Sequence, residues 1–395
     1  MHITVIGTGY VGLVSAACLA EIGHQVIGVD SDEQKVLALN RGEAPIYEAL
    51  VPELLQRHNG KRLRFSAHAR AAVTASDVVF LAVGTPQSEN GEADLSQIEA
   101  VAREIAPVIH RSTLIVEKST VPVCTCDALR ELLLRCGAQA GWFSLASNPE
   151  FLREGSAVTD FLYPDRIVAG ADDDFGRCLL REVYRPLVSG AYYRREDAVP
   201  CPTRTPNRAR LLLTSAKSAE LIKHASNGLL AAKISYINNV AQVAEAVGAD
   251  IEEIAAGMGA DPRIGDKFLR AGVGYGGSCF PKDVAAFEAV ARRCGVDFPI
   301  LRDVARVNDE QRSRFVARVC RSLGTLAGKR IAVLGLSFKE DTDDIRESPA
   351  VAIVRELVQE GAAVCAHDPA AMAKARAVLT SGQITYAHDA YDAAC

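Results

Sequence analysis

The chain has 395 residues, a formal net charge of −5 and close to half its residues apolar, which is long for one domain and predicts two or three. No lysine- or arginine-rich block points to nucleic acid or an acidic membrane surface, and no apolar run approaches the ~20 residues of a membrane span. Eleven cysteines, an odd number scattered from Cys18 to Cys395, suit a reducing cytoplasm better than a disulfide framework.

The chain enters a strand at once, without the basic start and cleavage site of a signal peptide. That strand, His2-Ile3-Thr4-Val5-Ile6, runs into Gly7-Thr8-Gly9-Tyr10-Val11-Gly12, then a helical pattern over Leu13–Ile22 and a second strand, Gln25–Val29, ending on Asp30. A GxGxxG alone says little. Between strand and helix, with an acidic residue 18 positions after its last glycine, it predicts a dinucleotide site. The first glycine permits the tight turn, the second admits the pyrophosphate, and the third lets helix and strand pack. Unpaired N–H groups at the helix start face the phosphates. Asp30 accepts hydrogen bonds from the adenosine ribose and repels a 2′-phosphate, which favours NAD over NADP.

Strands follow at Arg62–Phe65, Asp77–Val83 and Thr113–Val116, with helical spacing over Leu95–Ile109. Gly84-Thr85-Pro86 and Ser119-Thr120 leave these strands at the carboxyl edge, where ligands of such sheets bind. Cys124-Thr125-Cys126 has no second Cys or His pair at zinc spacing, so no metal is expected. Phe143–Ala146 is another strand, and Asn148-Pro149-Glu150-Phe151-Leu152-Arg153-Glu154 brings Glu150 and Glu154 to the same edge as general-base candidates. A late strand over Asp165–Gly170 and a helix over Phe175–Leu187 precede a segment, Tyr192–Asn207, rich in proline and arginine. That segment is expected to end the domain.

From about Thr214 to Val247 runs the longest helical pattern, with an apolar stripe of Leu221, Ile222, Ala225, Leu229 and Ile237. A helix of that length spans ~50 Å and reads as a connector and subunit contact. Lys223 and Asn227 share one of its faces. Beyond Asp261–Lys267 comes Gly272-Val273-Gly274-Tyr275-Gly276-Gly277-Ser278-Cys279-Phe280-Pro281-Lys282-Asp283. So many glycines require an unusual backbone path, and the path delivers a thiol beside an ammonium and a carboxylate. A neighbouring cation raises the thiolate fraction and makes Cys279 a nucleophile candidate, although a small buried cysteine explains the same residues. After Gly328 a strand–turn–helix unit returns at Lys329–Leu334, with a helix opening at Ser348-Pro349 and a strand at Ala363–Asp368. Lys339 and Arg346 offer positive charge for a second nucleotide. The fold class is α/β, two Rossmann-like doubly wound domains joined by a long central helix. The domains are expected at 1–207 (NAD), 208–325 (central, carrying the cysteine loop) and 326–395 (second nucleotide).

Taken together, these motifs resemble the UDP-glucose/GDP-mannose dehydrogenase family, and within it the UDP-glucose 6-dehydrogenases, over nearly the whole chain. The resemblance rests on Gly7–Gly12, on Gly276-Gly277-Ser278-Cys279-Phe280-Pro281-Lys282-Asp283 and on Phe338-Lys339. It implies two NAD-dependent steps that oxidise the C6 alcohol of UDP-glucose to UDP-glucuronate, with Cys279 forming a thiohemiacetal and then a thioester. By the same resemblance Lys223 and Asn227 stabilise oxygen charge, Asp283 and Lys223 manage protons, Thr120 places a water and Glu154 is a base for hydrolysis. The division of the base role between Glu154 and Asp283 stays open. The cofactor side maps to Gly7, Gly9, Tyr10, Val11, Gly12, Asp30, Lys35, Thr85, Thr120, Glu154, Lys282 and Arg346. The substrate side maps to Glu150, Phe151, Leu152, Lys223, Asn227, Lys267, Tyr275, Gly276 and Lys339, with Arg263 reaching the substrate of a neighbouring subunit in a homo-oligomer.

Members of this family continue past the stretch equivalent to Tyr386-Ala387-His388-Asp389, so the last sheet is expected to lack strands and expose an edge. A β-hydroxyacid dehydrogenase shares the cofactor fold and a helical Lys-x-x-x-Asn but needs no cysteine loop. Other nucleotide sugars (GDP-mannose, UDP-N-acetylhexosamines) and an inactive shortened subunit are the remaining alternatives.

Overall fold

Side chains alternate between two faces along the first strands, and both faces are apolar, so the sheet they form must be covered on each side. The computed structural model, which describes residues 1–88, 91–201 and 208–395, contains that sheet in the first of two units, Met1–Lys223 and His224–Cys395. Its strands are β1 (His2–Ile6), β2 (Gln25–Val29), β3 (Leu63–Ser66), β4 (Val78–Leu81), β5 (Thr113–Glu117), β6 (Phe143–Ser147), β7 (Arg166–Ala171) and β8 (Arg210–Thr214). They are ordered β3-β2-β1-β4-β5-β6-β7-β8. The first six are parallel. β7 meets β6 antiparallel over two residue pairs only, Ala146 with Ala171 and Ser147 with Gly170, and β8 runs parallel to β7. Ile3, Val5, Phe80, Leu114 and Val116 pack into one helical layer with Leu13 and Leu54, whereas Ile6, Val79, Leu81 and Ile115 pack into the other with Ile98 and Leu129. Each such side chain stabilises the unit by about 1.5–3 kcal/mol through burial.

The helix after β1 spans Tyr10–Glu21, starting earlier than the apolar pattern suggested because Gly9 already takes the extended N-cap conformation. A Cβ at Gly12 would fall 1.8 Å from the Gly7 carbonyl oxygen, so only glycine lets the helix leave β1 this closely. A Cβ at Gly9 would meet nothing within 4 Å. Helices at Glu33–Asn40, Val51–His58, Thr125–Arg135 and Ala157–Leu162 carry the alternation further than the sequence pattern revealed. The sheet also runs past the edge expected at 207. Residues 202–207 of the proline-rich segment lie outside the described residues, and the chain then re-enters the first sheet as β8.

The helix Ala216–Val247 has 32 residues, about 48 Å at 1.5 Å each, and runs from the first unit into the second. In the second unit its Ala231 packs with Tyr275, Val284, Leu301 and Val304. Helices Phe280–Arg293 and Pro299–Leu323 follow, then β9 (Arg330–Leu334), β10 (Ala363–His367) and β11 (Ile384–Tyr386). These form a parallel sheet ordered β11-β10-β9 over a core of Leu336, Val351, Val354 and Val364. β9 is an edge strand, and Arg330, Ala332 and Leu334 are exposed on it. Ser348 caps the helix Pro349–Gln359 through its hydroxyl.

The two glycines separate packing from ligand access. Gly12→Ala overpacks the turn and is expected to cost about 1–3 kcal/mol, read as a lowered melting temperature. Gly9→Ala adds a methyl to open space and is expected to leave the melting temperature unchanged while weakening NAD binding in a titration.

Candidate active site

In the first unit the dinucleotide turn meets Asp30 at the end of β2. Asp30 accepts from the Thr8 N–H (3.0 Å), the Thr8 hydroxyl (2.7 Å), the Asp32 N–H (3.1 Å) and the Lys35 ammonium (2.6 Å). Burial works against its charge, but Lys35 and Thr8 outweigh burial and hold the carboxyl below its usual range. An ionised acceptor therefore stands one strand over from the glycine turn, as a ribose diol requires. The open face at Gly9, the N–H groups of the helix start and this carboxylate together fit NAD. At the neighbouring strand ends the Thr85 hydroxyl donates to the Thr120 carbonyl (2.9 Å), and Ser119 donates to the Val83 carbonyl (2.7 Å). The loops after β4 and β5 are thus tied together beside the turn.

After β6 the chain turns through Asn148-Pro149-Glu150. Glu150 is buried, pairs with the Lys223 ammonium at 3.0 Å and accepts the Leu152 N–H at 2.5 Å. Burial would raise its pKa, yet Lys223, the Leu152 N–H and Lys118 keep the carboxyl below its usual range. Lys118 is also buried and donates to Asn148 Oδ1 (3.2 Å), and burial pushes its ammonium down to about 8. The Phe151 ring lies between two cations, with the Arg166 guanidinium 4.0 Å and the Lys223 ammonium 5.3 Å from its centroid. Asn148 is fixed by Lys118, by the Tyr184 hydroxyl and by its own donation to the Val168 carbonyl (2.7 Å).

In the second unit Cys279 is the N-cap of the helix Phe280–Arg293, half-buried, with Ser278 Oγ 3.6 Å from its sulfur. The positive end of a helix favours a thiolate over a thiol. One turn on, Asp283 is buried; its Oδ2 accepts from the Asn227 side-chain amide at 2.6 Å and its Oδ1 lies 3.7 Å from the Lys282 ammonium. The glycine loop is held tightly. Gly277 has φ +84°, its N–H donates to the Arg346 carbonyl (3.0 Å), and a Cβ there would strike the Phe338 ring at 2.7 Å. Asn308 brackets Tyr275, accepting its N–H (2.7 Å) and donating to its carbonyl (3.0 Å).

The expected site residues thus separate by surroundings. Glu150, Phe151 and Lys223 form one group around a buried ion pair, and Asn227, Cys279, Lys282 and Asp283 form another around the buried Asn227–Asp283 contact. Arg263 and Lys267 are exposed, Arg263 paired with Asp261 (2.6 Å) and Lys267 lying 3.6 Å from Asp266. Arg346 clasps Asp344, and Lys339 lies over the Phe338 ring. Sequence reasoning missed Lys118 and Asn148. For Lys118 a signal was there: a lysine directly after an apolar strand that is buried on both faces.

Glu117, at the end of β5, is fully buried. Its Oε1 accepts the Ser119 N–H (3.1 Å), and its Oε2 has no hydrogen-bond partner among the described residues. Burial, with the Glu220 carboxylate adding, pushes it up from 4.5 to about 8. Between those values the folded chain holds a proton that the unfolded chain has released. This contribution to stability is complete below 4.5 and is lost as pH rises through about 8. Glu117→Gln, which mimics the protonated acid, is expected to melt like the unmodified chain near pH 4. At pH 9 it should melt higher, by roughly 5 °C.

The chain matches the profiles of the UDP-glucose/GDP-mannose dehydrogenase family throughout: the NAD binding domain over residues 1–188, the central domain over 217–310 and the UDP binding domain over 332–395. It is 44% identical to the UDP-glucose 6-dehydrogenase YwqF of Bacillus subtilis (strain 168), over 96% of this chain and 82% of that protein. It is also 44% identical to a UDP-glucose 6-dehydrogenase of Rhizobium meliloti (strain 1021), over 100% and 87%. A UDP-glucose dehydrogenase structure from the hyperthermophilic archaeon Pyrobaculum islandicum superposes with a TM-score of 0.89 at 41% identity, covering 98% of this chain and 86% of that one. With a dinucleotide turn that fits NAD, a cysteine at the N-cap position of a helix and matches along its whole length, the chain belongs to the UDP-glucose/GDP-mannose dehydrogenase family.

Proposed function

We propose that the protein oxidises UDP-glucose to UDP-glucuronate, using NAD in two successive steps and Cys279 as a covalent handle. The observation that carries this reading is the position of Cys279, at the start of a helix with the Asn227–Asp283 pair one turn on. NAD, held by Gly7, Gly9, Tyr10, Val11, Gly12, Asp30, Lys35 and Thr85, supplies the hydride acceptor in each step. The chain's own residues do the rest. An aldehyde has no second hydride to give until a nucleophile adds to it. The Cys279 thiolate adds to that carbon to give a thiohemiacetal, which becomes a thioester on oxidation, and water then releases the acid. The carbon–sulfur bond of the thiohemiacetal also keeps the reactive carbon on the protein.

Lys223 and Asn227 stabilise negative charge on the C6 oxygen. Asp283 exchanges protons, Thr120 places a water, and Glu154 is the base for thioester hydrolysis. Glu154, Lys282 and Arg346 complete the cofactor side, and Glu150, Phe151, Leu152, Lys267, Tyr275, Gly276 and Lys339 line the sugar nucleotide. In this reading the NAD domain extends past the expected boundary at 207 to include β8, the central domain follows as far as 325, and the UDP-sugar domain occupies 326–395.

We also assign the exposed apolar face of the long helix to contact with a second copy. Leu229 (66% exposed), Tyr236 (59%) and Val243 (63%) recur every seven residues along the helix, and Val247 (72%) follows four further on, the a-to-d spacing of a heptad. The exposed Arg263 then reaches the substrate of the neighbouring subunit. Eleven cysteines with no disulfide among them, and no helix long and apolar enough to cross a membrane among the described residues, suit a cytoplasmic enzyme.

Release of two NADH per UDP-glucose is the expected stoichiometry, measured by absorbance against limiting substrate. One NADH would favour a two-electron alcohol dehydrogenase, and preference for GDP-mannose or a UDP-N-acetyl sugar in the same assay would reassign the substrate. Cys279→Ser is expected to abolish net turnover and leave NAD binding intact, and normal turnover by this variant would refute the thioester route. Placing charge on the helix face with Tyr236→Glu and Val243→Glu should convert the oligomer to monomers in sedimentation velocity.

A further inference from the structure

Glu48 sits in the loop between the Glu33–Asn40 and Val51–His58 helices and is 6% exposed. Donors from two distant parts of the first unit converge on its carboxylate. Oε2 accepts from the Tyr10 hydroxyl and from the Gly155 N–H (2.6 Å), and Oε1 accepts from the Ala157 N–H (2.8 Å). The Gly155 N–H also reaches the Tyr10 hydroxyl oxygen at 3.1 Å. Tyr10 follows the second glycine of the dinucleotide turn, and Gly155 directly follows Glu154. One buried carboxylate thus ties the cofactor turn to the loop carrying the proposed base.

The local chain does not supply this anchor. Ser156, the N-cap of the Ala157–Leu162 helix, makes no side-chain capping bond, and Glu48 takes the first N–H of that helix in its place. Gly155 has φ +85°, so the direction of the chain at Glu154 depends on a residue with little conformational preference of its own. Burial, and then the bond to Glu48, push the Tyr10 phenol far up, so it remains a donor to the carboxylate. A buried carboxylate is costly unless donors fill its lone pairs, and these donors do so.

We infer that Glu48 is a positioning residue for the hydrolytic half of the reaction: by fixing Gly155 it fixes the aim of Glu154. The inference rests on the reading of Glu154 as hydrolytic base. In that step Glu154 takes a proton from water as the oxygen adds to the acyl carbon. The C–S bond then breaks, its electron pair returns to the Cys279 sulfur, and the product leaves as a carboxylate. The two oxidations need Glu154 only for its place on the cofactor side and not as a base, so loss of its aim slows the last step more than the first two.

Glu48→Gln keeps the size but puts an amide N–H₂ among N–H donors. Steady-state turnover with UDP-glucose and NAD is expected to fall by about tenfold or more, since misplacement on the order of 1 Å can cost a hundredfold. The initial NADH burst should slow by much less than turnover does, and a UDP-glucuronyl adduct on Cys279 should accumulate in acid-quenched intact-mass spectra. A burst that slows in step with turnover, with no adduct, would mark a merely structural residue and overturn the inference, as would unchanged turnover. Glu48→Asp keeps the charge and both acceptors. With its shorter reach it should recover only part of the turnover lost in the glutamine variant, so it still accumulates some adduct and carries the same test should the glutamine variant not fold. If the unmodified chain releases no NADH from UDP-glucose, the proposed function falls. If it releases two and neither variant accumulates adduct, only the role of Glu48 falls.

Discussion

The buried contact between Lys223 and Glu150, 3.0 Å apart with 5% of each side chain exposed, is the constraint on which the first unit's chemistry depends. Neither charge is tolerable alone in that setting. Removing one partner of a buried pair typically costs about 3–5 kcal/mol, because the other stays desolvated. A hydrophobic pair would fill the same space at less cost, so stability gives no reason for these charges. What they achieve is placement: the first turns of the Ala216–Val247 helix are pinned to the chain leaving β6, and an ammonium is delivered to the carboxyl edge of the sheet. Lys118 adds a second cation to the same carboxylate. The polar groups around them, Asn148 and Tyr184, spend their bonds on one another and on the Val168 carbonyl, which keeps the turn rigid.

The second unit solves a related problem with backbone instead of charge. Gly277 lets the loop press against Phe338 and the Arg346 carbonyl, and Asn308 grips Tyr275 from both sides. Cys279 therefore leaves a stiff loop and enters a helix within one residue, with the Asp283 N–H donating to its carbonyl at 2.9 Å. The sulfur's orientation costs little entropy at the moment of reaction, because the glycines paid it during folding.

Much of this was legible from sequence where the determinants are local. The β1–turn–helix–β2 unit with Asp30, the first seven strands of the first sheet and the shared face of Lys223 and Asn227 follow from spacing alone. β8 was not legible. It follows a proline- and arginine-rich segment, and a Leu-Leu-Leu run over 211–213 reads equally as the start of the following helix. Nor was the difference between Glu150 and Glu154. Four residues apart, they look alike in sequence, but Glu150 is neutralised by a lysine 73 residues away, and the residue after Glu154 is anchored by a carboxylate 107 residues away. Glu48 and Lys118 act through contacts of that kind, which no window along the chain can register.

The antiparallel meeting of β6 and β7 has a geometric consequence. Because only their last residues overlap, Arg166 to Ala169 extend past Ser147, the end of β6, rising about 13 Å at 3.3 Å per residue, with β8 laddered alongside. The carboxyl rim of the first sheet therefore carries a parapet on one flank, made of hydrogen-bonded strand and not of loop, with the Arg166 guanidinium stacked over Phe151 at its top. A molecule resting above β4 to β6 meets on that side a wall of hydrogen-bonded backbone, stiffer than a loop, which favours admission and release along the other flank or from above.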